Sequence, residues 1–269
     1  MAINKESTSY TFIFSIVMVV IVAALLSTAA ISLKPFQKNN QDQKKMQDIL
    51  SAIRISCERS EAEGLFNKYV TQQIVLDIAG NQKENSVNAF NVDVQKEYRS
   101  YKAGALQEQE LNYPLYVCNK NDSLFYIIPV VGKGLWGPIW GFIALNSDMN
   151  TIYGAKFDHQ GETPGLGAEI KEEAFQLNFR GEKIFDESRN FVSVDVIKGG
   201  ADINDIHGVD GITGGTITSN GVSQMLKNTL EIYVPYFNKM VSNTNVEQDN
   251  VESTVEIIMD STAIEISEI

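Results

Sequence analysis

Between residues 7 and 33 the sequence carries no charged side chain, and the 23 residues from 11 to 33 (TFIFSIVMVVIVAALLSTAAISL) are almost all apolar or small. As a helix rising 1.5 Å per residue this run is roughly 34 Å long, enough to cross a hydrocarbon core of about 30 Å. Ser27-Thr28-Ala29 resembles a small-residue cleavage site. A signal peptide, however, has an apolar region of about 7–15 residues, shorter than this one. The segment reads as an uncleaved single-pass anchor. Its flanks count toward a cytoplasmic location for the rest of the chain: Lys5 and Glu6 stand before it, and Lys34, Lys38, Lys44 and Lys45 against Asp42 and Asp48 after it.

Beyond the anchor the chain has ample apolar material for a core. Its formal net charge is −12, from 22 Lys+Arg and 34 Asp+Glu, which argues against a nucleic-acid binder. No Lys or Arg follows Lys239, whereas Glu247, Asp249, Glu252, Glu256, Asp260, Glu265 and Glu268 do. More than half of the net charge thus sits in the tail, leaving −5 for the rest. The tail from 241 to 269 reads as a solvated, flexible extension. Cys57 and Cys118 form no CxxC pair, and His159 and His207 stand in no ligand spacing, so no metal site is expected. Whether the two cysteines pair is open. There is no Walker loop and no GxGxxG.

Met46, Ile49, Leu50 and Ile53 recur at helical spacing and predict a short stalk helix. Val92 and Val94 suggest a strand. From Tyr113 the runs LYVC, LFYIIPVV, WGFIAL and TIYGAKF are rich in β-branched and aromatic residues with short turns between them, the pattern of antiparallel hairpins. A helical stretch is predicted over residues 169–179 and an alternating strand over 191–197. A last amphipathic helix is predicted from about Ser219 to Phe237, with Val222, Met225, Leu226, Leu230, Tyr233, Val234 and Phe237 on its apolar side and Pro235 kinking or ending it. The fold class is α+β: a twisted antiparallel sheet with flanking helices, behind one transmembrane helix. The divisions are a flank (1–10), the anchor (11–33), a stalk and packing region (34–110), a globular domain (111–240) and the acidic tail (241–269).

Two loops combine glycine with polar groups. In DGITGGTITSNG (210–221) glycines leave a threonine hydroxyl sterically open, and Thr218, Ser219 or Asn220 can cap the helix after it. A helix N-terminus offers free N–H groups and a positive dipole end to a phosphate. The same residues also read as a plain glycine-rich turn. In HQGETPGLG (159–167) Pro-Gly forces a turn and glycines allow close approach to a flat ligand, or simply join a strand to a helix. A third stretch, GKGLWGPIWG (132–141), places two tryptophans in a glycine-rich hairpin, as ring-stacking or core residues.

In this order, the anchor, GKGLWGPIWGFIAL, HQGETPGLGAEI and VDGITGGTITSNGV resemble the C subunits of sodium-translocating NADH:quinone oxidoreductases, within the wider FMN-binding domain family. The alternative is the G subunit of RNF-type electron-transport complexes, which shares the ETPGLG and DGxTGxT elements. A cofactor-free anchored binding module is the rival from another class. The resemblance covers about residues 10–236. It implies FMN joined to Thr216 by a phosphoester bond, with Gly215 where the family pattern has alanine and Thr218 as the fallback acceptor. It also places Trp136, Glu162, Thr163, Gly165, Leu166, Gly167, Thr213, Gly214, Gly215 and Thr218 near the cofactor. The protein is then an electron-carrying subunit of a membrane translocase that performs no complete reaction alone, linking NADH to quinone and sodium export. A separate flavin transferase makes the bond. The resemblance further implies a single-pass protein of the bacterial inner membrane with its domain in the periplasm, against the lysine count.

Overall fold

The structure is a computed structural model that describes residues 7–84 and 87–266, with side chains through Ser242. Lys5, Glu6 and Glu268 lie outside the described residues, as do the side chains of the acidic tail.

The anchor and the stalk are one helix, α1 (Thr8–Ala52). Ser7 caps it by accepting the Tyr10 N–H, and Pro35 lies inside it. It is the one helix among the described residues long and apolar enough to cross a membrane. Phe12, Leu25, Ile31 and their apolar neighbours face outward, uncovered by any other part of the chain. Its last turns enter the folded core, where Ile49, Leu50, Ala52 and Ile53 are fully buried.

Next come α2 (Ala62–Tyr69), β1 (Val70–Leu76) and α3 (Val94–Lys102). The strand suggested around Val92 and Val94 is absent: Val92 ends a 3-10 turn, and Val94 opens α3 behind an Asp93 cap that accepts the Lys96 N–H. Four strands then come in hairpin succession, β2 (Tyr113–Lys120), β3 (Ser123–Lys133), β4 (Pro138–Asn146) and β5 (Ile152–His159). With β1 on the outer edge they make an antiparallel meander in the order β1-β2-β3-β4-β5.

The long apolar run in β3 has a simple cause. Side chains alternate across a strand, and both faces of this sheet are covered. Phe125 and Ile127 join a core with Ile49, Leu50, Ile53 and Phe66, on the side of α1 and α2. Tyr126, Ile128 and Val130 join the opposite core with the last helix. The molecule is therefore helix, sheet and helix in three layers.

The region predicted helical over 169–179 is a 3-10 turn (Gly167–Lys171) followed by a short α4 (Glu173–Leu177). Of the strand predicted over 191–197, β6 (Asp195–Ile197) forms, paired in parallel with β7 (Gly208–Asp210). The final helix, α5 (Thr216–Ile266), starts three residues before the predicted start at Ser219 and runs past Pro235. Val222, Met225, Leu226, Leu230, Tyr233 and Phe237 are buried against the sheet, each contributing about 1.5–3 kcal/mol of apolar burial.

Candidate functional site

Three loops meet at the N-terminus of α5. They are the β3–β4 hairpin tip (134–137), the segment after β5 (160–166), and the turn between β7 and α5 (211–215). Glu162 ties them together. Its carboxylate is buried; Oε1 accepts the Trp136 backbone N–H at 2.8 Å, and Oε2 accepts the Thr218 hydroxyl at 2.6 Å. The Glu162 N–H in turn donates to His159 Nδ1 at 3.1 Å. A buried carboxylate is stable when its lone pairs are taken up in this way.

The glycines are what allow the loops to nest. A Cβ on Gly167 would collide with Glu162 Oε2 and Thr218 Oγ1, and one on Gly134 would sit 2.5 Å from Glu162 Oε1. At Gly214 the backbone is left-handed (φ +76°) and a Cβ would lie 2.6 Å from the Leu166 side chain. Gly165 is different: its φ of +74° supplies the turn, and its N–H donates to Glu169 Oε1 at 2.8 Å.

The two threonines of the α5 turn differ sharply. Thr218 is buried and its hydroxyl is committed to Glu162. Thr216 is half-buried, and its hydroxyl has no hydrogen-bond partner among the described residues. The first bond of the helix runs from Ser219 N to Gly215 O at 2.9 Å. The amides of Thr216, Ile217 and Thr218 have no carbonyl partner among the described residues, as the opening of a helix leaves them. Nor is there an acidic residue in the first turn of α5. Ser219, expected as a possible cap, accepts the Ile212 N–H at 3.1 Å and so fixes the turn instead.

Around this mouth stand exposed apolar side chains: Leu135, Trp136 (68 % exposed), Leu166 and Ile217. Thr163, Thr213 and Gly214 are exposed as well. The predicted set is thus brought together, but in two roles. Glu162, Gly167, Gly215 and Thr218 form a buried clasp beneath the surface, and Trp136, Thr163, Leu166, Thr213 and Thr216 face outward from it. His159, weighed from its spacing solely as a metal ligand, instead braces the Glu162 amide; its position at the start of the second motif was the available signal.

Residues 134–231 match the FMN-binding domain family. The C subunit of the Na+-translocating NADH-quinone reductase of Vibrio campbellii is 33 % identical over 82 % of this chain and 90 % of that protein. The same subunit from Vibrio vulnificus is 35 % identical over 74 % of this chain and 81 % of its own length. The chain belongs to the family of C subunits of Na+-translocating NADH-quinone reductases. Among solved structures, the C subunit from Parabacteroides distasonis superimposes with a TM-score of 0.68 at 44 % identity, covering 76 % of this chain and 96 % of that one. A C subunit from Shewanella oneidensis, at 23 % identity and a TM-score of 0.63, shares the fold. Of the two branches that share the glycine motifs, the chain falls in the C-subunit branch, and its domain is an FMN-binding one.

The site fits that cofactor on its own geometry. Unpartnered helix amides and no acid in the first turn suit a phosphate, and the exposed Leu, Ile and Trp side chains suit the face of a ring system.

Proposed function

We propose that FMN is held covalently, through its phosphate, on the hydroxyl of Thr216, and that the chain thereby serves as an electron carrier between other subunits of the reductase. The observation that carries this reading is the contrast within one helical turn: the Thr216 hydroxyl is unbonded beside free amides, whereas that of Thr218 is buried and bonded. In forming the ester, Thr216 Oγ would bond to the phosphorus of an activated flavin nucleotide presented by a separate transferase. It would lose its proton as the donor's leaving group departs. The amides of Thr216, Ile217 and Thr218 would hold the phosphate oxygens, and Trp136, Thr163, Leu166 and Thr213 would bound the ring or ribityl chain. Bound there, FMN supplies the reversible redox chemistry that the chain's own side chains lack.

The test is co-expression with the transferase. Thr216→Ala is expected to abolish in-gel flavin fluorescence, and peptide mapping of the parent to place one FMN phosphoryl adduct on the peptide containing Thr216. An adduct that survives Thr216→Ala would move the site.

We also place the domain in the periplasm. The lysine count that argues otherwise loses weight once two of its members are seen to serve the fold. Lys44 pairs with Asp48 and Asp158, and the Lys45 ammonium donates to the carbonyls of Phe90 and Val92 at 2.7 and 3.2 Å.

A further inference from the structure

At the β5 edge of the sheet, where the end of α1 meets β5 and α4, lies a cavity of about 440 Å³. Four cationic side chains line it: Arg54, Lys156, Lys171 and Arg180. They come from four separate parts of the chain, and Glu173 is the one acid in the lining. No ion pair or side-chain hydrogen bond engages any of the four among the described residues. The buried Asp48 is bonded by Lys44 at 2.5 and 2.6 Å and also lies within electrostatic reach of Lys156, so the excess of positive charge falls on Arg54, Lys171 and Arg180. In a chain with a net charge of −12, the fold gathers four cations around one cavity with a single acid in its lining.

A second observation is independent of charge. Arg54 comes just after the last residues of α1 with φ +60°, a left-handed conformation. Glycine is the usual occupant of that position after a helix, because any Cβ is strained there. The chain instead has an arginine, its guanidinium 6.0 Å from the centre of the Tyr153 ring in the cavity wall. The left-handed turn thus carries the guanidinium to the cavity wall instead of onward along the axis of α1.

We infer that this cavity binds a small polyanion bearing phosphate or carboxylate groups. The volume lies in the range of small-molecule sites. A lipid headgroup is the wrong source: Arg54 is 21 residues beyond Leu33, which along a helix is roughly 32 Å past the apolar segment.

The test is calorimetric titration of the full chain in detergent with pyrophosphate and, separately, citrate. Saturable 1:1 binding of at least one probe is expected, weakened about tenfold or more between 25 and 250 mM salt because the contacts are charge–charge. Binding of one probe alone assigns phosphate or carboxylate as the ligand group. The exposed double change Lys171→Gln/Arg180→Gln should weaken binding at least about tenfold while flavin fluorescence stays unchanged, and Lys96→Gln on α3 should leave affinity as it was. Arg54→Gly should raise the melting temperature by relieving the backbone yet weaken binding about fivefold, by loss of one charge. No saturable heat with either probe overturns the inference, as does a double variant that binds like the parent. Loss of the double variant from the assembled complex without any anion binding overturns it too, and marks the groove as an interface with a neighbouring subunit.

Discussion

Replacing Glu162 by glutamine keeps the shape of the side chain and removes half of its accepting capacity. The amide nitrogen that takes the place of one oxygen cannot accept from the Trp136 N–H or the Thr218 hydroxyl. One of those two bonds must fail in a buried setting, at a cost of about 1–3 kcal/mol. Glu162→Gln should therefore lower the unfolding free energy in denaturant titration by that amount and reduce flavin loading. Thr218→Ala removes the other end of the clasp and should cost stability while leaving the adduct on Thr216. A Thr218→Ala variant that loses its flavin without losing stability would contradict the division of labour between the two threonines. That division was not legible in the sequence. Both residues stand in one glycine-rich run, and what separates them is a carboxylate 56 positions away in the chain. Lys45 makes a second case at this scale. Burial, its largest cause, pulls its amine down to about 8 from 10.5. The unfolded chain then binds more protons between those two values, so this group's contribution makes the fold more stable as pH rises from about 8 to 10.5 and leaves its burial cost in full below 8. A reductively methylated sample should show a lysine resonance titrating near 8 that Lys45→Gln removes; a midpoint near 10.5 for this residue would refute it.

Among the elements, α5 is the one whose placement decides the site. It packs so close to the β3–β4 hairpin that a Cβ on Gly221 would strike the Lys133 carbonyl. Gly221→Ala should push the hairpin away from the helix, costing about 1–3 kcal/mol by overpacking. It should also diminish flavin attachment, because Trp136 N would be drawn off Glu162. Normal stability together with full flavin loading would show the contact to be dispensable. The apolar stripe of α5 and the strands β2 to β5 were legible because period and composition agree there. The edge strand β1 was not, since Thr71, Gln72 and Gln73 are exposed and no more than its last three residues are buried. The two valines at 92 and 94 misled through their β propensity, which Asp93, capping α3 between them, overrides. The start of α5 was misplaced because its capping-type residues lie within the first turn, where Ser219 braces the Ile212 amide from inside the helix.

For the molecule as a whole, the expected sidedness can be checked directly. Alkaline phosphatase fused after Lys239 should be active if the domain lies outside the cytoplasmic membrane; activity from a cytoplasmic reporter at the same junction would reverse the assignment. The larger lesson at this scale concerns α1. Its apolar half and its core-forming half are separately obvious in the sequence, but their continuity is not, because the polar residues from 37 to 47 read equally well as a break. One helix of 45 residues, roughly 68 Å long, leaves no loose leash between lipid and protein. Any lean of the span in the bilayer becomes a lean of the domain, with Pro35 as the place where bending concentrates. A helix tilt of about 20° carries a point roughly 32 Å above the apolar segment sideways by roughly 11 Å. Mismatch between apolar length and bilayer thickness is one contribution to such tilts beside helix packing, and a rigid α1 would pass it on to where this domain stands over its neighbours.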